Sequence, residues 1–225
     1  MSTDTATPSR GLFITFEGSE GCGKTTQIAA LRERLEAEGR TVEQVREPGG
    51  TVVGEKIREL LQYTPEVKDM CSEAELCLFA ASRSQLVREK IGPSLASGSD
   101  VIADRFMDST TVYQGIGRGL PRELVEGING LAVGDLKPHL TVVLDMDSRH
   151  AFERVSARAG VEDRMEQLPP EFYESVRQGY LELARNEPER IEVIDATQTM
   201  DEISEIIWQV VCDRRALVHS QVATG

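Results

Sequence analysis

Five short runs rich in apolar and β-branched residues punctuate the chain: LFITF (12–16), TVEQV (41–45), DVIADR (100–105), LTVVLDMD (140–147) and IEVIDA (191–196). Each reads as a strand, and the stretches between them carry the helical period. Ile28, Leu31 and Leu35 share one face of a helix that Gly39 ends, as a glycine beyond the last turn commonly does. Pro-Gly-Gly at 48–50 forces a turn after the second strand. The pattern then predicts a helix over about 53–62, a long one over 72–91 that stops near Gly92-Pro93, and a final one over 200–217. Apolar strands separated by helices imply an α/β fold, a five-stranded parallel sheet with helices on both faces. No repeat or linker interrupts it, so residues 11–217 form a single domain. The polar segment 1–10 reads as a disordered tail and 218–225 as a C-terminal tail.

A chain of 225 residues suits one such domain. Its net charge of -13 argues against nucleic acid and against an anionic membrane, both of which need a basic footprint. Any cationic site is therefore local. Cys22, Cys71, Cys77 and Cys212 form neither a CxxC pair nor a His/Cys cluster, which fits a reducing compartment without structural zinc or disulfides. No apolar run reaches the ~20 residues of a membrane span, and the first residues lack the core of a signal peptide. The expected location is the cytoplasm.

Residues Gly18 to Thr25 fit G-x-x-x-x-G-K-[ST] between a strand and a helix, where that loop wraps a polyphosphate. Glycines let backbone N–H groups turn inward, and the helix N-terminus adds partial positive charge. The loop with Thr26 (Gly18, Ser19, Glu20, Gly21, Cys22, Gly23, Lys24, Thr25, Thr26) is the expected nucleotide site. Lys24 would reach the β- and γ-phosphates and the Thr25 hydroxyl would hold Mg²⁺. Cys22 reads as a small filler. Glu20 is unexpected there, because a carboxylate repels phosphates. A regulatory GTPase would carry Asn-Lys-x-Asp, and no Asn-Lys pair occurs. A non-catalytic nucleotide-binding module would have no reason to keep an acceptor site.

Ligands of open α/β sheets bind beyond the carboxyl ends of the strands. Three such ends are charged: Arg46-Glu47, Asp104-Arg105, and Asp145 with Asp147. Asp104 could hold a metal-bound water while Arg105 grips a phosphate, or the two could form a salt bridge. In the long helix, Leu76, Phe79, Ala80, Arg83 and Val87 fall on one stripe. Phe79 and Arg83, four apart, could stack on a planar base and bond its edge; Phe79 alone would read as core.

Together, FEGSEGCGKTT, REPGGT (46–51), LFAASR (78–83), DRFMDSTTVYQG (104–115), DLKPHLTVVLD (135–145), EDRMEQ (162–167) and IDATQ (194–198) resemble the signatures of bacterial thymidylate kinases, in order, from about residue 11 to 212. That family has the P-loop kinase fold and moves the γ-phosphate of ATP to dTMP. The resemblance implies that Phe79 stacks on thymine and Arg83 bonds its carbonyl edge, with Thr110 and Gln114 lining the base. It implies that Arg58 and Arg105 hold the acceptor phosphate and that Tyr113 crowds the 2′ position. Glu47 would lie near the acceptor, and Glu20 would bond the deoxyribose 3′-hydroxyl. Phe106 stands where the family usually has tyrosine or histidine.

The same resemblance implies a lid over about 154–168. In the sequence, Arg154 and Arg158 are spaced i, i+4 and Arg164 follows Gly160, which suits either three solvated charges or a bound anion. The resemblance favours Arg154 near adenine and Arg158 and Arg164 on the transferring phosphate, beside Lys24 and Arg105 in catalysis. It also implies Mg²⁺ as cofactor and a homodimer, to which the helix 72–91 could contribute. Guanylate, adenylate and cytidylate kinases are the rivals within the kinase class.

Overall fold

In the computed structural model, which describes residues 11–147, 150 and 168–223, the five runs become β1 (Phe13–Glu17), β2 (Val42–Arg46), β3 (Asp100–Asp104), β4 (Leu140–Asp145) and β5 (Ile191–Asp195). Each lies within two residues of its expected bounds. The strands form one parallel sheet in the order β2-β3-β1-β4-β5. β1 lies at its centre, with Phe13 beside Val101 of β3 and Ile14 beside Leu140 of β4. A strand covered on both faces buries nearly every side chain, and all five residues of β1 are buried, Thr15 and Glu17 included.

Helices cover both faces. On one, Ile28, Leu31 and Leu35 of α1 (Lys24–Ala37) pack with Ile203, Ile207 and Val211 of α8 (Met200–Ala223) against Ile14, Phe16 and Val142. On the other, Ala80 and Leu86 of α3 (Ser72–Leu86) and Ala132 and Val133 of α6 (Arg122–Val133) meet Phe13, Val101 and Ala103. A third cluster joins Val112 and Tyr113 to Phe172, Val176 and Tyr180 of α7 (Pro170–Asn186). Burying one such aliphatic or aromatic side chain contributes about 1.5–3 kcal/mol, so the three clusters hold the layers together.

The helical bounds depart from expectation in three places. The second helix begins at Val52, and its regular part, α2 (Val52–Arg58), widens into a π turn over Glu59–Tyr63. The long helix does not stop near Gly92-Pro93. A π turn over Val87–Ile91 follows α3, and α4 (Gly92–Ala96) continues beyond it. Pro93 falls in the first turn of α4, where no N–H is required of it. Residues 218–223, expected as tail, extend α8. The expected N-terminal tail lies outside the described residues, as does the expected lid except for Leu168.

Candidate active site

The carboxyl ends of β1, β2 and β3 open onto a cavity of about 250 Å³. Glu20, Gly21, Gly23, Lys24, Thr25 and Thr26 line one side of it, supplied by the glycine loop and the start of α1. Two glycines make that loop possible. Gly23, the residue before α1, has φ 99, in the left-handed region that side chains disfavour. At Gly18 (φ 127) a Cβ would lie 2.5 Å from the Leu144 carbonyl oxygen, so only glycine lets the loop leave β1 this close to β4. Lys24 Nζ bends back over the loop and donates to the carbonyls of Ser19 (2.9 Å) and Gly18 (3.2 Å). Gly18, Ser19 and Cys22 thus shape the loop from behind, and Cys22 is buried in the core as filler.

The opposite wall carries the expected acceptor residues. Arg46 and Glu47 come from the end of β2 and the turn after it, Arg58 from the end of α2, and Phe79 from α3. Asp104 and Arg105 end β3. Thr110 and Gln114 come from α5 (Met107–Thr110) and the π turn Thr111–Gly117, with Tyr113 between them. The hydroxyls of Thr110 and Tyr113 are buried, yet neither has a hydrogen-bond partner among the described residues. Buried hydroxyls are normally satisfied, so these two stand out on the cavity wall. Burial also pushes the Tyr113 phenol up, which keeps it neutral.

Arg105 takes φ 68, rare outside glycine, and so turns its guanidinium into the cavity. It does not form the salt bridge with Asp104 that the sequence left open. Nη2 donates to Glu20 Oε1, Nη1 donates to Ser109 Oγ (3.2 Å), and the guanidinium lies 5.1 Å from the Tyr113 ring centre. Behind Arg105 stands Glu17, which in sequence reads only as the neighbour of an apolar run. Its carboxylate accepts from Phe106 N (2.8 Å), Ser109 Oγ (2.6 Å) and Tyr180 Oη (2.8 Å). Burial, then the charge of Asp108, push the Glu17 carboxyl up; Arg105 and the two hydroxyls pull the other way. Tyr180 sits on the buried face of α7 with Phe172 and Val176, a placement that in sequence reads as ordinary core.

Arg83 does not share the cavity with Phe79. It is 1% exposed and lies behind the wall. Nε and Nη2 donate to Glu47 Oε2 at 2.8 and 2.5 Å, Nη1 to Asn129 Oδ1 (2.9 Å), and Nη2 also to the Phe106 carbonyl (3.1 Å). Four of its five N–H hydrogens are used in these bonds. Burial pushes the Glu47 carboxyl up to about 7 although Arg83 opposes it. Phe106 supplies its carbonyl and its N–H here, and its ring lies 5.4 Å from the Arg83 guanidinium. The same ring meets Phe13 edge-on at 5.0 Å, which accounts for an apolar residue at that position.

Of the three charged strand ends, two face the cavity. At the third, Asp145 binds Arg177 of α7 through two bonds of 2.7 and 2.9 Å and so ties helix to sheet. Arg154, Arg158 and Arg164 lie outside the described residues. The remaining cations, Lys24, Arg46, Arg58 and Arg105, converge on one space in a chain of strongly negative net charge. Among them, the Arg58 guanidinium is aimed by its bond to the Pro48 carbonyl (3.0 Å).

The thymidylate kinase family model matches residues 16–207. The chain is 47% identical to a thymidylate kinase of Deinococcus radiodurans, over 92% of this chain and 98% of that one. It is also 47% identical to one from Syntrophotalea carbinolica, over 87% and 93%. The crystal structure of thymidylate kinase from Ehrlichia chaffeensis superposes with a TM-score of 0.72 at 35% identity, covering 90% of this chain and 98% of the other.

Proposed function

Since the chain belongs to the thymidylate kinase family, we propose that it transfers the γ-phosphate of ATP to dTMP, releasing dTDP and ADP. The observation that carries this reading is the meeting of two half-sites in one cavity. Lys24 and Thr25 of the phosphate loop face Arg58, Arg105, Phe79, Tyr113 and Gln114 across it. A phosphate oxygen of dTMP attacks the γ-phosphorus while the bond to the β-phosphate oxygen breaks. The transition state is loose and spreads negative charge over three oxygens, so the protein's work is positioning and charge compensation.

Lys24 leaves the loop carbonyls for the β- and γ-phosphates. Arg58 and Arg105 hold the acceptor phosphate, Phe79 stacks on the base, and the Tyr113 ring fills the space of a 2′-hydroxyl. Glu20, held against Arg105, accepts from the deoxyribose 3′-hydroxyl, which gives the carboxylate a role away from the ATP phosphates. The resemblance assigns Arg158 and Arg164 to the transferring group as further cations and Arg154 to adenine, and all three lie outside the described residues. For Mg²⁺, Thr25 and Asp104 offer one hydroxyl and one carboxylate on the cavity wall. No cluster of three His, Cys, Asp or Glu occurs among the described residues, and Mg²⁺ needs none when water and phosphates complete its shell. Bound there, Mg²⁺ supplies charge to the β- and γ-oxygens.

The outer face of α3 presents Ala74, Cys77, Leu78 and Ala81, small or apolar residues that suit a helix-to-helix contact in a homodimer. No helix among the described residues is long and apolar enough to cross a membrane. With the absence of cysteine pairing in sequence, this supports a cytoplasmic enzyme.

The test is a coupled assay with ATP, Mg²⁺ and a panel of nucleoside monophosphates. dTMP should be the preferred acceptor, and Lys24→Ala should cost about 10²–10³ in kcat, the loss typical of one preorganised donor. Preference for another monophosphate moves the protein within the kinase class. ATP binding with no phosphorylated acceptor leaves a binding module.

A further inference from the structure

Gln114 faces the cavity, but its amide is fixed from behind by a residue that does not. Gln114 Nε2 donates to Glu75 Oε1 at 2.9 Å. Glu75 is a buried carboxylate on α3, one and two helical steps of four before Phe79 and Arg83, and it is not part of the cavity wall. Glu75 also accepts from Arg118, whose Nε donates to Oε1 and Nη2 to Oε2, each at 3.2 Å. The guanidinium of Arg118 lies 5.3 Å from the Phe172 ring centre, which keeps it in place.

An amide has one donor prong and one acceptor prong, and in isolation either can face a ligand. An ionised carboxylate only accepts. With Glu75 behind it, Gln114 must turn Nε2 inward and leave Oε1 on the other side. Among the described residues no donor is bonded to that oxygen. We infer that Glu75 is a specificity-determining positioning residue: by fixing the polarity of the Gln114 amide, it presents an acceptor that selects a base carrying a ring N–H. Thymine and uracil offer N3–H to such an acceptor. Cytosine offers the N3 lone pair and meets it with repulsion. A neutral amide facing an uncommitted neighbour could flip and accommodate either.

This inference rests on the dTMP kinase reading and adds how that site tells its pyrimidine from cytosine. Glu75→Gln keeps the shape but replaces an acceptor-only group with one that can face Gln114 either way. The dTMP-to-dCMP ratio of kcat/KM should then narrow by roughly tenfold to a hundredfold, the worth of one misdirected buried hydrogen bond. The change should fall mainly in the acceptor KM, with the KM for ATP unaltered. In a Gln114→Leu background, Glu75→Gln should have no further effect on the ratio, because its influence runs through that amide.

A Glu75 that only clamps α3 to Arg118 would lower turnover of both substrates and leave their ratio at the wild-type value, which would overturn the inference while the kinase reading stands. A wild type that shows no preference for dTMP over dCMP would overturn the kinase reading and this inference with it. A measurement on the wild type guards against a variant that does not fold. In protein labelled with ¹⁵N at glutamine side chains, the Gln114 Nε2 signal should shift little when dTMP binds, since Nε2 already donates to Glu75 and is turned away from the base. A large shift of that signal would mean that the donor prong faces the base, and would sink the inference.

Discussion

The two ends of the cavity are prepared in opposite ways. At the phosphate end the cations hold internal partners: Lys24 rests on the Ser19 carbonyl, and Arg105 is bonded to Glu20 and Ser109. At the base end, Thr110 and Tyr113 keep buried hydroxyls without hydrogen-bond partners among the described residues. The difference follows from cost. A bare ammonium or guanidinium left in a low-dielectric pocket is far more costly than a bare hydroxyl, so charged groups take stand-ins and exchange them when ligand arrives. The base end can instead be built once, and its polarity fixed from behind.

The largest expected effect tests the phosphate end. If the transition state needs more cation than Lys24 and Arg105 provide, Arg158→Ala and Arg164→Ala should each lower kcat by about a thousandfold or more while ATP affinity changes little. Steady-state rates set beside an ATP titration decide this. Near-normal kcat in both variants would mean that the described cations suffice.

The second test concerns the wall between the two ends. Glu47 has its carboxyl pushed from 4.5 up to about 7 by burial. A raised acid contributes stability that is complete below its unfolded value and is lost as pH rises through the folded one. Glu47→Gln removes that titration. Between about pH 4.5 and 8 wild-type stability should therefore fall relative to the variant, by about 3 kcal/mol in all. Denaturant melts of both proteins across that range check it, and parallel curves would show that Arg83 holds Glu47 ionised throughout.

The smallest effect separates holding from touching. Tyr180→Phe takes one donor from Glu17 and a neighbour from Arg105, which lies 3.4 Å away, without altering any residue that lines the cavity. A loss of roughly tenfold in kcat/KM for dTMP is expected, with the dTMP-to-dCMP ratio unchanged. A changed ratio would mean that the two ends are coupled through Glu17.

Legibility in the sequence divides along similar lines. The inner strands β3, β1 and β4 are visible as apolar runs because a parallel strand covered on both faces buries nearly every side chain, and the edge strands β2 and β5 are visible as β-branched runs that alternate with polar residues. The phosphate loop is visible because its glycines and lysine are contiguous. Phe79 is legible from the helical stripe, Arg58, Thr110 and Gln114 come from the family resemblance, and the cavity brings them together. Glu17, Glu75 and Tyr180 stay hidden. Each acts through another residue, and each sits in a helix or strand where period and hydrophobicity suggest only burial. Arg83 does lie on the helical stripe that points it toward the base, but a stripe does not specify depth, and the guanidinium lies behind the wall with Glu47 and Asn129. The π turns at Val87–Ile91 and Thr111–Gly117 leave no trace in the apolar period.

The central place of β1 has a consequence for how the chain assembles. Leu12 N bonds Asp100, 88 residues on, and Phe13 N bonds His139, 126 residues on. The strand that launches the phosphate loop therefore has no local partner, and its neighbours emerge only after long intervening segments. Loop-closure entropy opposes such pairings until much of the chain is present, and folding rates fall as contacts become more distant in sequence. The phosphate loop, which precedes these partners in the chain, should be one of the last parts to acquire its working shape. A nascent chain would then be unable to capture ATP until β4 has left the ribosome.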